Sequence, residues 1–131
     1  MRLKLFSAKA YDIASFDREC PRAIELSYTD EALTTATIDQ AADCDAVCAF
    51  VNDQLDEPVL AALVKHGVKH VLLRCAGFDR VDVQAAKRLG LCVSRVSSYS
   101  PHAVAEHAVM LMLALNRRLL KARQRQQHAD F

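Results

Sequence analysis

The sequence predicts an α/β fold: a flavodoxin-like, doubly wound parallel sheet of five strands, with a long helix at the C-terminal end. Strand-like and helix-like segments alternate over residues 1–96, which favours a parallel sheet with helices on both faces. Two of the helix-like segments end at a glycine that directly precedes an apolar run, as expected where a helix turns back into a strand. Beyond Pro101 there is neither glycine nor proline, so one helix can continue far along the chain.

The first half of the chain supplies three strands. Residues 3–8 read as the opening strand, followed by a short helix over 11–19 that ends near Pro21. Apolar and polar residues alternate at Ile24, Leu26 and Tyr28, which predicts an edge strand with one solvent-exposed face. Residues 34–42 are ambiguous and could form a turn of helix. Residues 45–51 are almost continuously apolar, which is typical of a strand covered on both faces.

A helix–glycine–strand unit follows. Asp56 can cap a helix that has Pro58 in its first turn, and the apolar residues after it recur at helical spacing. Gly67 ends that helix, and residues 68–75 form a buried strand.

The same device then repeats. Residues 82–89 form a helix that ends at Gly90, and residues 91–96 form the fifth strand. Strand-like runs near residues 3, 24, 46, 69 and 91 therefore make up the predicted sheet.

The last segment is different in kind. Ser100 can act as the N-cap and Pro101 as the first residue of a helix that reaches about residue 127. Between residues 103 and 115 only Glu106 and His107 are polar. A helix that is apolar nearly all round must be covered on several sides, which one small sheet cannot do.

Composition narrows the functional classes. The chain has 131 residues, which is one domain by length, and a net charge of +1, which gives no electrostatic footprint for nucleic acid or a membrane surface. No apolar run approaches the length of a membrane span. The five cysteines are odd in number and form no CxxC pair, which predicts free thiols in a reducing cytoplasm and no zinc site. With only three scattered glycines, the chain contains no dinucleotide-binding fingerprint.

Candidate binding residues lie after the predicted strands, because ligands of doubly wound sheets bind beyond the carboxyl ends of the strands. The turn around Ala76 and Gly77 can point successive backbone N–H groups at one carboxylate, although a plain strand-to-helix turn has the same spacing. Tyr99 can present its hydroxyl to the same crevice, or it can be a partly buried aromatic residue. Residues 52–53 form the third segment at this edge.

Several segments resemble one family, the NAD-dependent D-2-hydroxyacid dehydrogenases of the D-lactate type. The glycine turn LRCAGFDRVD at 73–82 and the helix start YSPHAVAEHA at 99–108 are similar to the motifs of that family. The stretches FVND at 50–53, HGVK at 66–69 and FSAKAYD at 6–12 resemble it as well, so the similarity spans essentially the whole chain.

The resemblance implies an oxidoreductase that reduces a 2-oxo acid such as pyruvate with NADH to the D-2-hydroxy acid. It implies that the N–H groups of Ala76 and Gly77 bind the substrate carboxylate, that Tyr99 faces the substrate, and that Val104 approaches the nicotinamide. Residues 1–99 would be the substrate-binding domain, incomplete without a C-terminal return segment. Residues 100–131 would be the interdomain and dimerisation helix, with a homo-oligomer formed through residues 101–127.

The resemblance also implies what the chain lacks. The catalytic arginine, glutamate and histidine of the family are expected beyond residue 131, as is the cofactor-binding Rossmann domain, so the isolated chain is expected to be inactive. Arg74 lies on a predicted strand and is interpreted as structural. Glu106 and His107 are adjacent in a helix and point about 100° apart, so they do not face one site. Gly67 separates His66 from His70, which argues against a metal pair.

An alternative from a different class remains open. The chain could be a free-standing flavodoxin-like module that only binds or dimerises, without catalysis. The basic residues between 117 and 125 are interpreted as a solvated helix end, because cations are favoured there and the rest of the chain is neutral.

Overall fold

Five short strands form one parallel sheet in the order β2-β1-β3-β4-β5, which is the predicted doubly wound arrangement. The strands are β1 (Arg2–Leu5), β2 (Glu25–Tyr28), β3 (Ala46–Ala49), β4 (His70–Leu73) and β5 (Cys92–Arg95). The computed structural model describes residues 1–128. The chain separates into two units, Met1–Ser97, which contains the sheet, and the residues from Ser98 onward.

Three helices pack on the sheet, on both faces as the sequence predicts. They are α1 (Ala10–Glu19), α2 (Glu57–Lys65) and α3 (Val83–Arg88), and a 3₁₀ turn covers Ile38–Ala41 within the stretch that the sequence left ambiguous. Side chains of α2 and α3 join one apolar cluster with Val47 and Ala49 of β3, whereas α1 joins a second cluster with Ala46 and Cys48. Because neighbours on a strand point to opposite faces, these are the two faces of the sheet.

The predicted environments of β3 and β2 are confirmed, whereas β4 is not the fully buried strand that the sequence predicts, since His70 is exposed and Leu72 is half-buried. Every residue of β3 is buried, as its continuous apolar run predicts for a central strand. β2 lies at an edge, and its residues alternate between exposed and half-buried. Each strand is shorter than its apolar run, because the ends of the runs leave the hydrogen-bonded ladder and enter the loops.

The predicted cap at Asp56 forms, and Asp82, which the sequence places only at the start of a helix, caps α3 in the same way. The Asp56 carboxylate accepts from the N–H of Val59 at 3.3 Å, and the Asp82 carboxylate accepts from the N–H of Ala85 at 2.8 Å. Gly67 and Gly90 have φ values of +87° and +73°, which L side chains rarely adopt. These local signals therefore fix where α2 and α3 begin and where the chain turns back into β4 and β5.

The single long C-terminal helix is a wrong prediction. Helix α4 (Pro101–Asn116) ends one turn before α5 (Leu119–Gln127), and Arg118 between them has the left-handed φ of 49°. Asn116 is a weak helix former, and the like charges of Arg117 and Lys121 lie one helical turn apart, so the helix is weakest at this point. Glycine and proline are the usual helix breakers, but here an arginine with a left-handed backbone conformation ends the helix.

The start of α4 is where the sequence places it, with Pro101 in the first turn, but the cap differs. Ser100 has φ 32° and ψ 59°, and its side chain makes no capping hydrogen bond. A serine N-cap normally has an extended backbone, which this left-handed conformation does not provide. Residues 129–131, which belong to the predicted C-terminal segment, lie outside the described residues.

No helix among the described residues combines the length and the apolar character that crossing a membrane requires.

Candidate functional site

The loop at the carboxyl end of β4 contains the first pair of candidate residues. Ala76 is half-buried and Gly77 is exposed. Within residues 1–128 the backbone N–H groups of Ala76 and Gly77 donate to no other group. Two adjacent donors without an internal acceptor form a place where an anion such as a carboxylate can bind.

Gly77 itself is not required by the backbone of this chain. Its φ lies outside the left-handed region, and an added Cβ would meet only Asp79 Oδ2, at an ordinary contact distance of 3.8 Å. In this it differs from Gly67 and Gly90, whose positive φ values explain them locally. Neither a left-handed backbone nor close packing among the described residues therefore explains the glycine at position 77.

A small hollow lies beside this loop, with a volume of about 40 Å³. Its walls include the rings of Phe50 and Phe78, the thiol-bearing Cys75, and Gly77. Apolar walls beside a few polar groups are the general composition of small-molecule sites, which are much larger than this hollow.

Arg74, which the sequence interprets as structural, anchors the residue just before the loop. Its guanidinium donates to the carbonyl oxygens of Phe6 at 2.9 Å and Ser7 at 2.7 Å, and it lies over the ring of Phe50 at 4.7 Å. Its Nε is 3.4 Å from Asp12 Oδ1, and the Arg74 side chain is only 9% exposed. All of these partners belong to the protein, so Arg74 ties the end of β1 to the end of β4.

Asp53 is a residue of this edge whose role the sequence analysis missed. Its side chain is fully buried and accepts from Ser7 Oγ at 2.7 Å, the N–H of Leu33 at 2.9 Å and the N–H of Phe50 at 2.6 Å. Ser7 has a left-handed φ of 51°, and Asp53 and Arg74 hold it from two sides. The available signal was an acid two residues after the continuous apolar run, where burial forces a carboxylate to collect hydrogen-bond donors.

One thiol lies beneath the same edge. Burial raises the pKa of Cys48, and the nearby Arg74 guanidinium opposes that rise. A raised pKa keeps the thiol protonated and poorly nucleophilic, so Cys48 is a packing residue. All five cysteines are free.

The other two candidates lie in the second unit. Tyr99 precedes α4 and is 77% exposed, and Val104 lies in the first turns of α4 and is 66% exposed. Among the described residues Tyr99 is therefore not partly buried. Tyr99 and Val104 belong to the second unit, whereas the glycine turn belongs to the first.

Helices α4 and α5 enclose an apolar groove of about 570 Å³. Val109, Met110, Leu113 and Leu119 line it, with Glu106 and Arg117 among its few charged residues. Of the 16 residues of α4, only Ala114 is even partly buried. His107 and Glu106 are both exposed.

Metal ligation finds no support in the described part of the chain, where no group of three or more histidine, cysteine or acidic residues could hold an ion. His66 Nε2 lies 3.4 Å from Asp39 Oδ1, so this histidine has a carboxylate as its polar neighbour.

Comparison with known proteins gives one consistent match. Residues 4–127 match the family model of the D-isomer specific 2-hydroxyacid dehydrogenase catalytic domain. The chain is 49% identical to a D-lactate dehydrogenase of Escherichia coli and 48% identical to 2-hydroxyacid dehydrogenase A of Aspergillus oryzae, over its whole length in both cases. It spans about 40% of the length of those relatives.

The solved structures agree. The apo-structure of the Escherichia coli D-lactate dehydrogenase matches all of this chain with a TM-score of 0.82 at 49% identity, and the chain covers 42% of it. A D-isomer specific 2-hydroxyacid dehydrogenase of Lactobacillus delbrueckii, solved in its NAD-complexed form, matches with a TM-score of 0.71 at 29% identity. The chain covers 40% of that structure.

Proposed function

Because this chain belongs to the family of D-isomer specific 2-hydroxyacid dehydrogenases, we propose that it is the substrate-binding part of a D-lactate dehydrogenase-type oxidoreductase. The complete enzyme would reduce a 2-oxo acid such as pyruvate with NADH to the D-2-hydroxy acid. The observation that carries the proposal is the pair of unpartnered N–H groups at Ala76 and Gly77, which lie at the ligand-binding edge of the sheet.

The role of each candidate residue follows from its chemistry. Ala76 and Gly77 donate their backbone N–H groups to the substrate carboxylate, and Tyr99 directs its hydroxyl to the substrate. Val104 contacts the nicotinamide side of the cleft. A glycine at position 77 leaves room for the carboxylate to approach the backbone, which is consistent with the absence of any local requirement for it.

In this proposal the phosphates of NAD bind outside this chain. Its three glycines are too far apart in sequence to form a dinucleotide-binding fingerprint, and two of them end helices. The nicotinamide would supply the hydride, bound by a cofactor domain outside this chain. The groups that clamp the carboxylate and protonate the carbonyl oxygen belong to that domain as well, and residues 1–131 alone are inactive.

We propose that a further segment completes the substrate domain by covering the α1 face, which is the face of the sheet against which α1 packs. Beside α1, an open groove of about 410 Å³ is lined by Leu3, Phe16, Ile24 and Leu72, among others. Cys92 of β5 is exposed, whereas Cys48 of β3 is buried. We assign this face to a return segment from the C-terminal part of the longer protein.

Thiol labelling tests this assignment. Iodoacetamide should label Cys92 rapidly in residues 1–131 and slowly in the full-length protein, as peptide mass spectrometry can measure. Cys48 is the internal control, because burial raises its pKa and should keep it unlabelled in both proteins. Equal labelling of Cys92 in both would show that nothing covers this face.

Self-association through residues 101–127 is part of the same proposal. Exposed apolar side chains surround α4, and they include Val109, Met110, Leu111, Met112 and Leu113. Continuous apolar patches of this kind mark interaction surfaces. Light scattering should show that residues 1–131 associate at micromolar concentration and that Met112→Glu weakens the association. A monomer whose size and solubility do not respond to Met112→Glu would contradict the dimer surface.

The decisive test of function uses the full-length protein. NADH oxidation should depend on pyruvate, and chiral chromatography should identify D-lactate as the product. A protein that binds pyruvate without oxidising NADH would favour the alternative of a binding module without catalysis. The five free thiols agree with a reducing compartment, and we propose the cytoplasm.

A further inference from the structure

A side chain outside the candidate site controls its geometry. Arg95, the last residue of β5, donates from Nη1 to the carbonyl oxygen of Ala76 at 2.9 Å. The same nitrogen contacts the carbonyl oxygens of Ser97 at 3.0 Å and Val96 at 3.3 Å. One charged group thus gathers carbonyl oxygens from the glycine turn and from the end of β5.

A second contact orders the guanidinium. Its central carbon lies over the ring of Phe78, 5.0 Å from the ring centroid. Phe78 directly follows Gly77, so Arg95 contacts the residues on both sides of the glycine. Stacking on an aromatic face and donation to carbonyls restrict a side chain that is otherwise exposed.

The contact with Ala76 matters because of peptide geometry. The carbonyl of Ala76 and the N–H of Gly77 belong to one peptide group, which is planar and trans, since residues 1–128 contain no cis peptide bond. In a trans peptide the C=O and the N–H point in opposite directions. Whatever fixes the carbonyl of Ala76 therefore fixes the direction in which the N–H of Gly77 points.

The positive charge on Arg95 also makes the N–H of Gly77 a better donor to an anion. A hydrogen bond from a guanidinium to a carbonyl is charge-assisted and polarises the peptide group, so its N–H becomes a better donor. The positive charge also favours an anion on the far side of the peptide. No other side-chain donor within residues 1–128 reaches the carbonyl of Ala76.

We propose that Arg95 is a positioning residue that aims and polarises the N–H of Gly77 toward the carboxylate of a 2-oxo acid. This inference rests on the proposed function and adds to it a residue that does not touch the substrate. Arg95 is exposed, and it belongs to neither of the two apolar clusters that hold the sheet together. Its contribution to binding is therefore separable from its contribution to folding.

The test is Arg95→Met in the full-length protein, since methionine has a similar length and no donor. A contact made equally in the ground state and the transition state changes KM and leaves kcat alone. The KM for pyruvate should rise about tenfold, because the N–H of Gly77 would no longer be aimed at the carboxylate, and one hydrogen bond to a charged group contributes roughly that much. The KM for NADH, kcat and Tm should stay close to their wild-type values. Arg95→Lys, which keeps the charge and one donor, should give an intermediate KM for pyruvate.

The matched control is Arg88→Met, which removes another exposed arginine of the same unit, paired with Glu57 at 3.0 Å. It should leave all of these quantities unchanged. A KM for pyruvate within about twofold of wild type in Arg95→Met would overturn the proposal. A joint loss of Tm and rise in the KM for NADH would also overturn it, because that outcome marks a purely structural role.

A spectroscopic measurement separates this inference from the proposed function. In the full-length protein labelled with ¹⁵N-glycine, the Gly77 amide signal should shift in Arg95→Met, while the Gly67 and Gly90 signals stay in place. If the wild-type protein does not reduce pyruvate and the Gly77 signal still shifts, the function fails and the positioning role stands. If the wild-type protein reduces pyruvate and neither the signal nor the KM changes in Arg95→Met, the positioning role fails and the function stands.

Discussion

Helices α2 and α4 are both rich in apolar residues, yet the structure treats their side chains in opposite ways. Val59, Leu60 and Leu63 of α2 are fully buried, whereas no residue of α4 is buried. In the sheet unit the core residues and the helix caps find their partners within the chain. In the helix pair they do not. The comparison teaches that a residue without a partner inside this chain points to a contact outside it, either with a ligand or with another polypeptide segment.

The largest predicted difference between the two regions is the change in the free energy of unfolding when a leucine side chain is truncated. Leu63→Ala should destabilise the sheet unit by about 2–5 kcal/mol, because it removes a fully buried side chain and leaves a cavity. Leu115→Ala removes the same atoms from a side chain that is 76% exposed, and should change the free energy of unfolding by less than about 0.5 kcal/mol. Urea unfolding followed by circular dichroism measures both. Equal costs would show that the two regions do not differ in the way described.

Within the sheet unit, substitutions of Gly67 and Gly77 should separate an effect on stability from an effect on substrate binding. Gly67→Ala should cost about 1–2 kcal/mol of stability, because its φ of +87° is strained for alanine. In the full-length protein it should leave the KM for pyruvate unchanged.

Gly77→Ala should give the reverse result. Nothing in the chain obstructs a Cβ at Gly77, so stability should stay within about 0.5 kcal/mol of wild type. The KM for pyruvate should rise by about tenfold, which corresponds to about 1.4 kcal/mol of binding. If Gly77→Ala destabilised the fold and left the KM alone, the glycine would be structural and the turn would lose its assigned role.

The smallest effect concerns the exposed tyrosine. Tyr99→Phe in the full-length protein should reduce kcat/KM for pyruvate by the equivalent of one hydrogen bond, about 0.5–1.5 kcal/mol. Its Tm should not change, since Tyr99 is 77% exposed and its hydroxyl makes no hydrogen bond within residues 1–128. Tyr11→Phe is the matched control, because Tyr11 is also exposed, at 65%, and lies in α1. Identical kinetics for Tyr99→Phe and wild type would show that the hydroxyl does not reach the substrate.

The sheet could be predicted from the sequence because its signals are local. Apolar runs, the caps Asp56 and Asp82, and the glycines Gly67 and Gly90 each specify an element boundary without reference to distant residues. The break at Arg118 escaped prediction, because a left-handed arginine has no sequence signature. The same limit applies to the predicted cap at Ser100.

The site was only partly predictable, for a related reason. The position of Ala76 and Gly77 follows from the strand that precedes them, since ligands bind beyond the carboxyl ends of such strands. The roles of Asp53, Arg74 and Arg95 depend on long-range contacts, such as the one between Asp53 and Ser7, 46 residues apart. The pairing of such distant residues is decided by the sheet order, so single residues do not reveal it.

The most direct measurement of the central claim compares two proteins in one assay, NADH oxidation in the presence of pyruvate. We predict that the full-length protein turns over at a rate within the usual range for enzymes, about 1–1,000 per second. Residues 1–131 should show no turnover above the background, because under the proposed function this chain would supply the carboxylate-binding turn but neither the cofactor site nor the proton donor. Turnover by residues 1–131 alone at a rate in that range would contradict the account.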